Sequence, residues 1–449
     1  MKENENVIQK SSWRFPPTFW TANYVELLER AAFYCMFIAI SLYLTDVVGF
    51  DDKWAGIIGA FFSAGVYFLP PFTGAFSDKI GFRAALLIAF TLLTIGYFTM
   101  SFLPYKATVV PAFVLLMFGG SFIKSIITGT VAKNSSETNR ARAYSIFYFV
   151  VNIGAFTGKM FAKPIRIDIG LEAIGYFSAI MTFIAIIVVF FFFKNIDSTG
   201  QGKSAKEIWT GFVKVVTNAR LITLILILAG FWIIQHQMYA SMPKYIIRLV
   251  GKDASPEWYS NVNSATVIIF VMLITHWMKK FKAITSMNIG MILMPMSAVL
   301  MAMSPLLTQW TGTSISMFGL FTLHPIALTM IIGIGIQGLA ECFISPRFLE
   351  YFSLQAPKGE EGMYLGFSHL HSFFANFIGF FISGFLLDAY CPDPNKEGLR
   401  GLTASQLAPY YEHAHYIWYY FAGIGILAAI ALYIYSKVVK RLDGRKISV

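Results

Sequence analysis

The chain has 449 residues, of which 56% are hydrophobic and only 13% are charged, and its mean hydropathy is +0.62. A soluble protein carries about 25% charged residues, and this much apolar surface cannot be buried inside one water-soluble core. The composition therefore excludes a soluble enzyme, a disordered protein and a nucleic-acid-binding domain. The net charge of +11 is explained by membrane topology, because Lys and Arg accumulate in cytoplasmic loops. We therefore expect an all-α polytopic membrane protein.

Twelve apolar stretches are long enough to cross the hydrocarbon core, which takes about 20 helical residues. Their ranges are 18–47, 53–76, 83–103, 109–132, 140–163, 172–193, 219–248, 259–281, 284–304, 325–348, 361–389 and 409–437. Most of the 35 Lys and Arg residues lie in loops on the same side as both termini. By the positive-inside rule, this predicts a multi-pass protein of the cell inner (plasma) membrane with both termini in the cytoplasm.

The first span contains three charged residues on one helix face. Glu26 and Glu29 are spaced i, i+3, Glu26 and Arg30 are spaced i, i+4, and Tyr34 continues the face one turn later. Two carboxylates beside one guanidinium cannot both be fully neutralised, so we expect one of them to be poised to take a proton. The alternative is a purely structural ion-pair network.

The loop between the second and third spans contains Gly74, Asp78, Lys79, Gly81 and Arg83. Gly81 allows a tight turn, and Asp78 is suited to receive charge-assisted hydrogen bonds. The loop resembles the cytoplasmic G-x-x-x-D-[RK]-x-G-x-[RK] signature of the major facilitator superfamily, although an ordinary basic loop is the alternative. The resemblance implies a gating loop that serves conformational cycling.

A polar, basic connector at 194–218 divides the chain into an N-terminal six-helix bundle, 1–193, and a C-terminal six-helix bundle, 219–449. Six spans on each side of a long central loop is the architecture of the same superfamily. The stretch Lys206–Thr217 predicts a surface amphipathic helix within the connector. Carriers of this kind bind their substrate near the midplane, between the two halves.

Five segments, taken in chain order, resemble the proton-dependent oligopeptide transporter (POT) family. The first span resembles the motif E-x-x-E-R-F-x-Y-Y, the fourth G-x-G-x-x-K, the fifth F-Y-x-x-I-N-x-G, the seventh F-W-x-x-x-[DE]-Q and the tenth E-x-x-x-S-P. The matching residues are Glu26, Glu29, Arg30, Tyr34, Gly119, Gly120, Lys124, Phe147, Tyr148, Asn152, Gly154, Phe231, Trp232, Gln237, Glu341, Ser345 and Pro346.

The resemblance implies a proton-coupled symporter that imports di- or tripeptides or a related small zwitterionic solute. Lys124 would attract the carboxylate of the substrate, and Glu341 its amino group. An ion pair between Lys124 and Glu341, across the two halves, would hold one conformation. The implied proton-coupling residues are Glu26, Glu29, Arg30, His236 and Glu341. The implied substrate-binding residues are Tyr34, Lys124, Tyr148, Asn152, Trp232, His236, Gln237, Glu341 and Ser345; for the aromatic side chains, packing is the alternative.

Two positions depart from the family pattern. Phe37 stands where many members have a basic residue, and His236 stands where they have an acidic one. The two changes are electrostatically coherent, because loss of the cation alone would strand a buried carboxylate. His236 either titrates or is a buried neutral histidine. The altered charge predicts a substrate that differs from an ordinary peptide.

The remaining polar residues carry weaker signals. We expect Lys159 to extend its ammonium toward the outer membrane surface and to be structural. His369 and His371 are spaced i, i+2 and do not share a face as a metal pair would. We expect no metal, no cofactor, no nucleic-acid partner and a monomer in the lipid bilayer. The rival functions are a proton-driven exporter of amphipathic or cationic compounds and a lipid-modifying enzyme, for which the sequence has no nucleophile–base constellation.

Overall fold

The computed structural model describes residues 14–135, 139–194, 204–278, 280–354 and 367–446. The described residues are predominantly helical. The elements in chain order are α1 (Pro17–Leu42) with a π-helical end (Tyr43–Val47), α2 (Asp52–Phe68), α3 (Pro70–Ile80), α4 (Phe82–Phe102), α5 (Lys106–Lys133), α6 (Arg140–Pro164) with a π-helical end (Ile165–Ile169), α7 (Ala173–Phe192), α8 (Ala205–Thr217), α9 (Ala219–Gln235), α10 (Gln237–Ala240), α11 (Met242–Leu249), α12 (Pro256–Met278), α13 (Ala283–Ala302), α14 (Ser304–Thr311), β1 (Ile315–Met317), β2 (Phe321–Leu323), α15 (Pro325–Leu354), α16 (Leu370–Tyr390), α17 (Ala404–Tyr411) and α18 (Tyr416–Lys446).

The described residues contain 11 helices that are long and apolar enough to cross a membrane, or 12 if a bent pair is one span. The bent pair is α2 and α3, which meet at an angle of 49°. Pro70 and Pro71 explain the break, because proline has no backbone N–H to donate to the preceding turn. The twelve predicted spans are therefore present when the bent pair is taken as one, and the predicted span 53–76 is broken rather than continuous.

The helices pack as two bundles that face each other. In the first bundle, α1 packs against α6 and α7, and α4 packs against α5 and α7. In the second bundle, α15 packs against α12 and α13, and α9 packs against α16 and α18. The bundles meet through α2 with α16 and through α6 with α12. The predicted boundaries of the two domains remain a prediction, and residues 195–203 of the predicted linker lie outside the described residues.

The predicted surface helix in the linker is confirmed as α8. Ser204 caps it by accepting a hydrogen bond from the Glu207 backbone N–H at 3.2 Å, and the Glu207 carboxylate accepts one in return from the Ser204 backbone N–H. This reciprocal pair satisfies two backbone donors that a helix start otherwise leaves free. Ile208 and Val215 are buried, whereas Trp209 on another face is exposed. The helix is therefore amphipathic, as its sequence predicts.

The contact between α2 and α16 is close enough to exclude side chains. A Cβ atom on Gly384 would lie 2.5 Å from the Asp52 carbonyl oxygen and 3.1 Å from the Gly56 Cα atom. Only glycine fits such an approach without moving one backbone.

We expect Gly384→Ala to lower the thermal unfolding temperature, because forcing an extra methyl group into a packed interface costs about 1–3 kcal/mol. Thermal unfolding of the purified protein in detergent measures the effect. Gly423→Ala is the matched control, since its Cβ atom would meet nothing within 4 Å. Equal melting temperatures for the two variants would contradict the prediction.

Candidate functional site

A cavity of about 290 Å³ lies between the two bundles. We call the face of the protein at which α1 begins and α18 ends the terminal face, and the other the opposite face. Glu341, near the middle of α15, lines the cavity, as do Phe348 and Leu349 farther along the same helix. His369 and His371, where α16 begins, also line it. The cavity therefore extends from the middle of the membrane toward the terminal face.

Most of the predicted substrate-binding residues line this one cavity. They come from α1, α6, α9 and α15, and from the turn that follows α9. They are Tyr34, Tyr148, Asn152, Trp232, His236, Glu341 and Ser345. The wall thus combines aromatic faces, neutral hydrogen-bonding groups and one carboxylate, which is suited to a small solute with polar ends and an apolar body. Their role in binding remains a prediction.

The predicted ion pair between Lys124 and Glu341 is absent from this conformation. The Glu341 carboxylate accepts hydrogen bonds from Gln235 Nε2 at 3.0 Å and from Asn263 Nδ2 at 3.4 Å. Lys124 Nζ lies 3.3 Å from the ring centroid of Tyr67, which lines the cavity. Because neutral amides satisfy the carboxylate and a ring face attracts the ammonium, each charge is stabilised within its own bundle.

Gln237 does not belong to the cavity wall, in contrast to the prediction. Its side chain is fully buried, and Nε2 donates to the Ile233 carbonyl oxygen at 2.8 Å and to that of Gly379 at 3.4 Å. Helix α9 ends at Gln235 and α10 begins at Gln237, so the helix register is interrupted at His236. This break directs Gln235, rather than Gln237, toward the cavity.

The three charges of the first span form a buried network directly behind the cavity wall. Arg30 Nε lies 3.2 Å from Glu26 Oε1 and donates to Glu29 Oε2 at 2.5 Å, and Arg30 Nη2 also pairs with Glu29. The Arg30 guanidinium carbon lies 6.0 Å from the ring centroid of Tyr34, which lines the cavity. In the described structure, Glu26 Oε2 and Glu29 Oε1 are buried without a hydrogen-bond donor. Each carboxylate therefore has one oxygen available to hold a proton.

Gly154 allows α6 to approach this network. A Cβ atom there would lie 2.6 Å from the Arg30 Cβ atom and 2.8 Å from the Leu27 carbonyl oxygen. The glycine that the sequence motif contains is thus explained by close backbone contact between α6 and α1.

Lys159 is not the surface-directed residue that we expect from the sequence. Its side chain is buried, and Nζ donates to the Ser260 carbonyl oxygen at 3.2 Å and to Ser264 Oγ at 3.1 Å. Both acceptors belong to α12, in the other bundle. The sequence contains a signal that Lys159 lies near the cavity: it follows Asn152 by seven residues, so the two residues share a helix face.

The i, i+2 spacing of His369 and His371 does not predict where the structure places them. Both line the cavity with His236, and their ring centroids lie 6.2 Å apart. His371 contacts the Ser368 carbonyl oxygen at 2.6 Å through Nδ1, and its ring lies 5.5 Å from that of Trp232. Among the described residues, no group of three or more His, Cys, Asp or Glu side chains is placed to hold a metal ion.

Buried ion pairs join the bundles near the opposite face. Asp52 at the start of α2 accepts from Lys244 Nζ at 2.7 Å and from Arg248 Nη1 at 2.8 Å. Arg166 donates to Glu257 Oε1 at 2.5 Å on the α6–α12 side of the protein. These contacts close the cavity at the opposite face.

The predicted gating loop has the turn that its glycine predicts. Gly81 has a φ of +88° and separates α3 from α4. Arg83 Nη2 donates to the Phe190 carbonyl oxygen at 2.5 Å, which ties the loop to the end of α7. A Cβ atom on Gly74 would lie 3.1 Å from that of Ser125 on α5. The gating function of Gly74, Asp78, Gly81 and Arg83 remains a prediction.

Comparisons with known proteins place this geometry in a wider context. The family model described as Major Facilitator Superfamily matches residues 25–321. The multidrug resistance protein MdtH of Blochmanniella pennsylvanica (strain BPEN) is 23% identical over 365 residues, which cover 79% of this chain and 82% of that protein.

The fold is similar to those of solved transporters. The POT family transporter PepTSo superposes with a TM-score of 0.73 at 15% identity, over 95% of this chain and 99% of that chain. An auto-inhibited POT family peptide transporter superposes with a TM-score of 0.71 at 14% identity, over 94% and 97%. At these identities the likeness establishes the fold of POT family transporters. Because the family model spans most of the chain as well, the chain belongs to the Major Facilitator Superfamily.

Proposed function

We propose that the protein is a proton-coupled symporter that imports di- or tripeptides, or a related small zwitterionic solute, by alternating access. The observation that carries the proposal is the cavity between the bundles. Its wall holds the Glu341 carboxylate on one bundle, while Lys124 on the other lies against the Tyr67 ring of the wall. A solute with an amino group at one end and a carboxylate at the other matches this separation of charge.

Transport proceeds from proton binding through solute binding to release on the other side. A proton from outside binds Glu26 or Glu29 beside Arg30, and the solute then binds between Glu341 and Lys124. The bundles rock, and solute and proton leave toward the terminal face, which we assign to the cytoplasm from the distribution of Lys and Arg. Each proton contributes about 2.3 kcal/mol per 100 mV of membrane potential, which is sufficient to concentrate a solute.

We expect Lys124→Ala to weaken binding of a dipeptide about tenfold or more, since a hydrogen bond between charged groups contributes about 1.5–3 kcal/mol and about 1.4 kcal/mol corresponds to a tenfold change in affinity. Isothermal titration calorimetry with dialanine measures the dissociation constant. Lys106→Ala is the matched control, because Lys106 begins the same helix but lies against the ring of Phe50, away from the cavity. An unchanged dissociation constant in Lys124→Ala would remove this residue from the site.

A second candidate is a proton-driven exporter of amphipathic or cationic compounds. The names of the MdtH relatives as multidrug resistance proteins favour it. Its driving protons would bind at the same carboxylates, and the aromatic residues of the cavity would contact the apolar body of the compound.

The direction of flux separates the two candidates. In proteoliposomes with an acidic exterior, a symporter accumulates dialanine inside together with protons. An exporter moves a cationic dye outward, in the direction opposite to the protons. A thermal-shift screen of dipeptides and organic amines supplies the ligands, because a bound ligand stabilises the folded state. Dialanine accumulation driven by the gradient supports the first candidate, and its absence alongside dye transport supports the second.

A further inference from the structure

Lys159 is a buried cation that the mechanism above does not use. Only 1% of its surface is exposed, and its ammonium is held by the Ser260 carbonyl oxygen and the Ser264 hydroxyl. Both acceptors are neutral, and both belong to the other bundle. In the described part of the chain, no carboxylate forms an ion pair with it. Because an ammonium is costly to bury without a counter-charge, this placement calls for a specific role.

The ammonium lies immediately behind the wall of the cavity. Ser264, which accepts its hydrogen bond, lines the cavity together with Tyr34 and Glu341. Lys159 Nζ lies 5.9 Å from the ring centroid of Tyr34. Asn263, the neighbour of Ser264 on α12, donates to Glu341. The positive charge is thus part of the electrostatic environment of the cavity although a hydroxyl covers it.

We propose that Lys159 is a second cation of the transport site, which latches α6 to α12 in the present state and faces the carboxylate of the solute when these helices separate. Separation of the bundles removes both neutral acceptors at once, since both are on α12. The freed ammonium then borders the enlarged cavity. The solute half of this proposal rests on the proposed function, whereas the latch does not.

The solute half is tested by comparing dialanine with its C-terminal amide in calorimetric titrations. We expect Lys159→Gln to reduce the preference for the free carboxylate about tenfold, and Lys159→Arg to retain it, because arginine keeps the charge. Lys163→Gln is the matched control. Lys163 lies one turn further along α6 and donates to Ser255 Oγ at 2.6 Å, outside the cavity. An unchanged preference in a folded Lys159→Gln protein would overturn this half.

The latch is tested without any solute, by electron-spin distance measurements between labels at positions 169 and 252. These positions are exposed at the opposite face, one on each bundle. We expect Lys159→Gln to shift the distance distribution to longer values than either wild type or Lys163→Gln. A distribution identical to that of wild type would overturn the latch. If wild-type protein binds neither dialanine nor its amide, the proposed function fails while the distance measurement still decides the latch.

Discussion

Glu29→Gln is expected to abolish the accumulation of solute that a pH gradient drives, while leaving exchange of solute across the membrane intact. The glutamine amide cannot take up a proton, but it retains the size of the carboxylate beside Arg30. For one coupled proton, one unit of pH gradient corresponds to about 1.4 kcal/mol, or roughly tenfold accumulation. We expect the variant to reach an accumulation ratio of about one. Proteoliposomes with an imposed pH gradient measure accumulation, and preloaded vesicles without a gradient measure exchange.

Two further variants make this result specific. Glu26→Gln removes the other carboxylate on Arg30 and reports whether both residues are needed for coupling. Glu397→Gln, in an exposed position of a connecting segment, is expected to behave as wild type. Undiminished accumulation in Glu29→Gln would exclude Glu29 from proton coupling, and loss of exchange together with accumulation would indicate a structural role for the charge network.

The second large effect is expected at the opposite face. Asp52→Asn leaves the ammonium of Lys244 and the guanidinium of Arg248 buried with their carboxylate partner gone; Asp393 Oδ2 lies 3.7 Å from Arg248. Breaking a buried ion pair by removing one partner costs about 3–5 kcal/mol. Because Asp52 and these two cations belong to different bundles, the closed arrangement of this face is destabilised. We expect a lower unfolding temperature and slower transport.

Asp388→Asn is the control for this variant. The Asp388 carboxylate also pairs with two cations, Lys53 Nζ at 3.0 Å and Lys396 Nζ at 2.5 Å, but both lysine side chains are nearly half exposed. Exposed ion pairs contribute only about 0–1 kcal/mol, so the effect of Asp388→Asn should be small. Equal losses of stability in the two variants would show that burial of the Asp52 cluster is not what holds this face closed.

Local sequence signals predict the fold well. The apolar stretches give the spans, Gly81 gives the turn between α3 and α4, and the linker sequence gives the surface helix α8. Each depends on residues close in the chain, such as a capping side chain or a backbone conformation that glycine adopts readily. The same locality explains why most of the motif residues line one cavity, since helix periodicity places them on shared faces.

The partners of the buried charges could not be predicted in this way. Whether Lys124 pairs with Glu341 depends on how the two bundles are positioned relative to each other, and no local sequence pattern predicts that arrangement. Gln237 turns away because the helix breaks at His236, and a regular helical period does not predict that break. Lys159 is held by a backbone carbonyl and a hydroxyl group more than 100 residues away in the chain. The residues next to Lys159 in the sequence do not predict these partners.

The glycine contact between α2 and α16 has a mechanical consequence. At Gly56 and Gly384 no side chain separates the two backbones, so at this point one helix meets little steric resistance to turning against the other. Such a contact is suited to be a pivot, and the displacement of one bundle relative to the other grows with distance from a pivot. The other side of the interface, where α6 meets α12, would therefore move farther in any rotation of one bundle against the other.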